Sequence, residues 1–338
     1  MRARVIGAGV AGLCAAFMLA REGVAVELVE RQTAAGLGCS RFAGGMIAPW
    51  CELESAEPIV AELGREALEF WTRDAPAATV AGSLVVAPPR ERAELFDFAR
   101  RTDHYERLDA AGIAALEPDL EGRFDDALFF PQEAHLDPRA TMAALAARLA
   151  EMENVTLRFG QEPEALTTRP DWTIDCRGFF ARDALPKLRG VKGEMILLRS
   201  AEISLARPVR MLHPRRPVYV VPRGEGLFMV GATMIENEER ARVTARSVVE
   251  LVNSAFAIHP AFAEAEIVET GSDVRPAFPD NLPRLIRRGR TVYINGLYRH
   301  GFLLAPALAR RAAEAVVRGA YFPEVMDADS GERAPAGG

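Results

Sequence analysis

The sequence predicts an α/β chain in two interleaved parts: a parallel-sheet unit interrupted by an antiparallel, β-rich α+β block. Three observations predict it. The chain opens on a strand, a glycine-rich turn, a helix and a second strand. From Glu194 to Val230 it reads almost wholly as strand. Between Thr291 and Arg318 a strand–glycine–helix unit returns. Parallel elements at both ends with β-rich sequence between them describe one domain built into another. At 338 residues the chain also exceeds one small domain.

The elements follow in order. Arg4-Val5-Ile6 is a short β run, and Gly7-Ala8-Gly9-Val10-Ala11-Gly12 is the turn after it. In such a turn the first glycine permits the bend, the second lets backbone approach a pyrophosphate, and the third lets helix and strand pack closely. Leu13 to Glu22 is rich in helix formers, and Val24 to Val29 is an apolar run ending in Glu30. The helix N-terminus offers free N–H groups to phosphates. Glu30 is placed to accept from both hydroxyls of an unphosphorylated ribose, which favours FAD or NAD over NADP. Arg31 beside it is the feature that would suit a phosphorylated ribose. This start is Rossmann-like.

A second glycine cluster, Gly36 to Pro49, follows. Residues 54–74 carry apolar side chains at helical period. Gly82 to Ala87 reads as strand, Pro88 to Arg101 as a helix begun by proline, and Leu108 to Leu116 as a short capped helix. Asp137-Pro138 is a helix-start signal, with His135 just ahead of it, and Thr141 to Met152 continues as helix. Val155 to Phe159 and Trp172 to Cys176 return to strand. After the β-rich block, Val243 to Ala257 is helical, Glu266 to Val274 and Thr291 to Asn295 are strands, and Phe302 to Arg318 is a helix. The expected division is a nucleotide-binding domain of 1–80, 138–190 and 272–325, a substrate domain of 81–137 and 191–271, and a flexible tail of 326–338.

Composition narrows the function. The net charge of −6, without a basic block, argues against nucleic acid. No apolar run approaches the roughly twenty residues that span a bilayer. The first strand starts the chain with no apolar segment before it, so a cytoplasmic location is expected. Cys14, Cys39, Cys51 and Cys176 lack metal-like spacing and read as buried thiols, and no metal is expected. A homo-oligomer is left open.

Chemistry-bearing positions lie beyond the first turn. Gly44-Gly45 lets backbone pass close to something flat, and Met46 beside it is soft and uncharged. In Asn295 to Leu308, Gly301-Phe302-Leu303 would present backbone N–H groups at a helix start to an anionic partner, and Arg299 stands two residues ahead.

Taken together and in order, GAGVAGL, CSRFAGGMIAP, YVVPR, VGATM, DVRPAFPD and GLYRHGFLLAPAL resemble the D-amino-acid oxidase family of FAD-dependent oxidoreductases, and within it the glycine oxidases of thiamine (thiazole) biosynthesis. The resemblance covers nearly the whole chain. It implies non-covalent FAD held by Gly7 to Gly12 (Ala8, Gly9, Val10 and Ala11 included), Glu30, Arg31, Ser40, Gly44, Gly45, Met46, Cys176, Gly178, Arg299, Gly301, Phe302 and Leu303. It implies that Arg275 and Tyr219 hold the substrate carboxylate, that Met234 lines a small substrate pocket and that Arg299 lies near substrate and flavin. The implied reaction oxidises glycine, and by extension sarcosine or small D-amino acids, to the imine by hydride transfer, with oxygen reduced to hydrogen peroxide. A related D-amino-acid or N-methyl amino acid oxidase or dehydrogenase, using another acceptor, is the alternative.

No general base stands out among His104, His135, His213, His259 and His300. That fits direct hydride transfer from a neutral amine, with activity rising as the amine loses its proton. His135 reads as part of a helix start, and His300 as an orienting or packing residue. Leu297 and Pro217 depart from the pattern, where a histidine and a polar group are common. No cysteine follows Cys176 and no histidine precedes His104, so covalent attachment of FAD is not expected.

Overall fold

The structure, a computed structural model, describes residues 1–214, 217–240 and 242–327. Along the chain the elements are β1 (Arg2–Ile6), α1 (Val10–Arg21), β2 (Ala25–Glu30), β3 (Met46–Ile47), α2 (Pro49–Glu52), α3 (Pro58–Glu69), β4 (Ser83–Val86), α4 (Arg92–Arg101), β5 (Glu106–Asp109), α5 (Ala110–Leu116), β6 (Asp126–Phe130), β7 (Ala134–His135) and α6 (Pro138–Ala150). They continue as β8 (Val155–Phe159), β9 (Trp172–Asp175), β10 (Arg189–Arg199), β11 (Val209–Met211), β12 (Val218–Pro222), β13 (Leu227–Gly231), α7 (Ala245–Ile258), β14 (Glu266–Ala277), β15 (Arg284–Arg288), β16 (Thr291–Asn295), α8 (Gly301–Arg318) and β17 (Met326–Asp327). The chain divides into two compact units, one of 1–41, 139–191 and the chain from Arg275 on, the other of 42–138 and 192–274.

In the first unit the strands run in the order β17-β15-β16-β9-β1-β2-β8. β1 lies parallel to both β2 and β9, with Val5 opposite Leu28 on one side and Ile174 on the other. Val5, Leu28 and Ile174 are fully buried, as residues at the centre of a parallel sheet must be. α1 is apolar on most sides and packs against α8. α8 ends at Gly319, whose φ of 69° is the left-handed conformation that lets its N–H reach back to the Ala315 carbonyl. Beneath the sheet, Glu27 holds Arg4 at 2.9 Å and Arg158 at 2.8 Å. Burial raises the Glu27 pKa, but the hydrogen bonds from Arg158 and Arg4 outweigh it and hold the carboxyl below its ordinary value.

In the second unit the strand order is β14-β10-β13-β12-β11-β4-β6-β5. The period-two alternation of strand side chains divides its core into two faces. Val218, Val220, Phe228, Val230 and Ile196 pack with Leu251, Ala255 and Ile258 of α7. Tyr219, Met229, Met195 and Leu197 pack with Phe42 on the other side. β3 and β7 form a separate antiparallel ribbon.

Several expectations change. Residues 42–80, expected in the nucleotide domain, fold with the second unit. Ala48, Trp50 and Cys51 bury themselves among Val85, Phe98, Leu128 and Phe130, contacts remote in sequence that local pattern does not encode. The expected helix from Pro88 opens as a 3₁₀ turn, Pro89–Glu91, and becomes α-helical at Arg92. β5, β6 and β7 carry no strand signal strong enough to be read beforehand. The strand expected from Glu194 begins at Arg189. Of the expected tail, Met326 and Asp327 pair with Leu285 and Ile286, and residues 328–338 lie outside those described.

Candidate flavin and substrate site

In the first unit, the turn after β1 is built as a cradle. Gly7 has φ of 96° and a Cβ there would lie 2.7 Å from the Cys176 carbonyl oxygen. A Cβ on Gly12 would lie 1.8 Å from the Gly7 carbonyl oxygen. Gly9 differs, since a Cβ there would meet only Ser40 Oγ, at 3.4 Å. Gly7 and Gly12 are therefore glycine because the protein needs the space, whereas the space over Gly9 is left open. Glu30 fixes the turn by accepting from Ala8 N–H at 2.7 Å and from Gln32 N–H at 2.9 Å. Each carboxylate oxygen keeps a further lone pair for a ribose hydroxyl.

α1 has no side-chain cap from its N-cap residue Gly9, although Ser40 Oγ accepts from Val10 N–H at 3.3 Å. α8 has no side-chain cap either, its N-cap being His300. The two helix starts adjoin, because a Cβ on Gly301 would lie 3.5 Å from Val10 Cγ1. Neighbouring helix N-termini, with their positive dipole ends, favour an anionic ligand. Of the other expected contacts in this unit, Cys176 presents backbone to Gly7, and Gly178 accepts from Asn295 Nδ2 at 2.9 Å. Phe302 and Leu303 are buried in the first turn of α8. Arg31 is engaged otherwise, its guanidinium 3.6 Å from the centre of the Phe180 ring.

Arg275 and Arg299 are brought together by backbone. Tyr298 N–H donates to the Pro276 carbonyl at 3.0 Å, so the two arginines flank a single hydrogen bond at the entry to α8. Tyr298 takes φ of 49°, a left-handed conformation unusual for a tyrosine. Arg299 Nε also donates to His300 Nε2 at 3.1 Å.

In the second unit, Gly44 lies against Tyr219 and Gly45 against Leu136. A Cβ on Gly44 would lie 2.6 Å from the Tyr219 ring, and one on Gly45 would lie 2.2 Å from the Leu136 carbonyl oxygen. Arg223 holds this turn, donating to the carbonyls of Ala43 at 3.2 Å, Gly44 at 2.8 Å and Leu136 at 2.6 Å. Arg223 was not singled out in the sequence, although it ends the YVVPR run four residues after Tyr219. Met234 is exposed and follows the end of β13. It borders a cavity of about 200 Å³ with Arg246, Glu250 and Leu251 of α7.

His135 also departs from its reading. It lies in β7, is 8% exposed and belongs to no helix start. All four cysteines are free; Cys39 is half-buried and the others buried, with burial pushing the Cys14 thiol far up. Among the described residues no three His, Cys, Asp or Glu side chains gather as a metal site, and no helix is long and apolar enough to cross a membrane.

Comparison with known proteins decides the family. The model of the FAD dependent oxidoreductase (DAO) family matches residues 2–315. The chain belongs to this family. The FAD dependent oxidoreductase is 54% identical over 325 residues, 96% of its length and 99% of the relative's, to the Rhizobium etli protein named "Putative thiamine biosynthesis oxidoreductase ThiO". It is 26% identical over 348 residues to the glycine oxidase of Pseudomonas aeruginosa, covering 93% of this chain and 94% of that one. Its fold is shared with the glycine oxidase of Bacillus cereus, with a TM-score of 0.81 over 95% of this chain and 96% of the other, at 21% identity. The open approach over Gly9, the anchored Glu30 and the adjoining helix starts fit the diphosphate and ribose of FAD.

Proposed function

We infer that this FAD dependent oxidoreductase oxidises glycine, and by the same chemistry sarcosine or small D-amino acids, to the imine. The observation that carries the reading is the pairing of Arg275 and Arg299 across the Tyr298–Pro276 hydrogen bond, beside an uncapped helix start. The 54% identity to a relative named for thiamine biosynthesis and the glycine oxidase names of more distant relatives support it. Arg275 would hold the substrate carboxylate through two parallel N–H bonds, and Tyr219 would add a hydroxyl donor. Holding the carboxylate fixes the Cα–H, and fixing that bond is most of what hydride transfer needs. FAD, when bound, supplies the two-electron acceptor, and oxygen is the terminal oxidant. Arg299 and the first turn of α8 would oppose negative charge that develops during reduction. Met234 would line the small pocket for the substrate side chain.

The imine product suits a route to thiazole, and a cytoplasmic place belongs to the same reading. The test is a visible spectrum of the purified protein before and after anaerobic glycine. A flavin band that glycine bleaches, with peroxide formed in air and a rate that rises as the amine deprotonates, is the expected result. A bound flavin bleached by D-alanine or D-proline and untouched by glycine would transfer the reading to a D-amino-acid oxidase.

A further inference from the structure

We propose that Arg223 is a positioning residue for the Tyr219 hydroxyl, an inference that rests on reading Tyr219 as a donor to the substrate carboxylate. Arg223 follows the last residue of β12 and continues its ladder, its N–H donating to the Leu227 carbonyl at 2.8 Å. Tyr219, four residues earlier on the same strand, faces the same side of the sheet about 13 Å away. A link between the two side chains has to run through something that touches both. The backbone at Ala43 and Gly44 does.

On the Tyr219 side the fit is close. The residue is half-buried, so part of it stays open to a ligand, and its ring lies between two glycines. A Cβ on Gly44 would stand 2.6 Å from ring Cε2 and 3.3 Å from the hydroxyl oxygen. Gly231, the partner of Tyr219 on β13, would bring a Cβ to 3.3 Å from the same oxygen. A side chain at either position would crowd the phenol, and any shift of the Gly44 backbone would redirect the hydroxyl.

On the Arg223 side the backbone is clamped. The Arg223 side chain is 5% exposed, with the Asp137 carboxylate 3.8 Å from its Nε. One terminal nitrogen donates to the carbonyls of Ala43 and Gly44, and the other to that of Leu136. A buried cation is costly unless it is hydrogen-bonded and paired, and this set of acceptors meets that need. Bonds from a charged donor are also the strong ones. Glycine has wide backbone freedom, so Gly44-Gly45 keeps one conformation only while something holds it. Without the guanidinium, Tyr219 would keep its place on β12 and lose the fixed direction of its hydroxyl.

A double-mutant cycle at saturating FAD tests this. Tyr219→Phe should raise the glycine KM about tenfold or more, the worth of a hydroxyl on a carboxylate. Arg223→Met should raise it by a similar factor in the wild type and by less than about twofold in Tyr219→Phe, because its effect passes through the hydroxyl. The second readout is ¹⁹F NMR of the FAD-loaded protein labelled with fluorotyrosine, in which the Tyr219 signal is the one missing from Tyr219→Phe. That signal should move in Arg223→Met. If the methionine variant does not fold, Arg223→Lys, which keeps the charge and loses the planar reach to three carbonyls, should show both effects at smaller amplitude. Independent, multiplying losses in KM, or an unmoved Tyr219 signal in a folded Arg223 variant, overturn this inference alone. A Tyr219→Phe enzyme with the wild-type KM overturns the carboxylate reading of Tyr219 and this inference with it.

Discussion

Gly9 and Gly12 answer to different demands, and substitution should separate them. Alanine at Gly12 would press its Cβ to 1.8 Å from the Gly7 carbonyl oxygen, so Gly12→Ala should lower the melting temperature by the equivalent of roughly 1–3 kcal/mol or more. Alanine at Gly9 meets only Ser40 Oγ, and its φ of −74° suits any residue. Gly9→Ala should therefore melt near the wild type while losing more than about tenfold in FAD affinity. Equal losses of stability in both would mean that the open space over Gly9 is structural. Arg275 gives a second contrast. Arg275→Ala should keep the flavin spectrum and raise the glycine KM by the equivalent of roughly 2–5 kcal/mol, read from steady-state rates. The glycine turn and Glu30 were legible because a dinucleotide turn is coded by consecutive residues. His135 and Arg223 were not, because an unpartnered nitrogen and a guanidinium on three carbonyls are properties of packing.

Elements carry the two strongest stability predictions. Lys192 on β10 is 2% exposed and lies 2.8 Å from Glu194, which is wholly buried. Lys192 Nζ also donates to the Arg242 carbonyl, and Glu194 Oε2 accepts from the Thr244 hydroxyl at 3.3 Å, which ties β10 to the cap of α7. Lys192→Met leaves a buried carboxylate uncompensated and should cost about 3–5 kcal/mol, most of it recovered when Glu194→Leu is added. Chemical denaturation of the single and double variants checks this.

Glu133, just before β7, is fully buried and accepts from Cys51 N–H at 2.8 Å. Burial raises its pKa from 4.5 to about 7. The folded state therefore binds the proton more tightly, and that stability is whole below about pH 4.5 and is lost as pH rises through about 7. His135 works the other way, since its contribution is whole above about pH 6.5 and is lost as pH falls through about 4. Melting temperatures from pH 4 to 8 should show Glu133→Gln gaining on the wild type above about pH 5, to roughly 3 kcal/mol past pH 7. A constant difference across that range would contradict a buried, titrating Glu133. The strands β5 to β7, around this carboxyl, were also the elements least legible in sequence. They are short and lack a clean alternation, and their partners lie far along the chain.

For the whole molecule, folding and cofactor binding are linked. FAD that binds the folded chain and not the unfolded one adds about 2.7 kcal/mol at a hundred times its Kd. Flavin-stripped protein should therefore melt lower, and its melting temperature should climb with the logarithm of added FAD and respond far less to NAD. Equal responses to the two nucleotides would argue against an FAD-specific cradle. The sequence by itself determined the α/β class, the interruption of a nucleotide-binding unit by a β-rich block and the glycine-rich turn. Those are written in local periods, in glycine spacing and in short motifs, whose physics involves neighbours in the chain. Only the tertiary structure decided that residues 42–80 fold with the second unit, that a Tyr298–Pro276 backbone hydrogen bond joins the neighbours of Arg275 and Arg299 and that His135 is buried with an orphaned nitrogen. Each of these depends on contacts between residues far apart in sequence, where burial and close packing choose the partner and local propensity has no say.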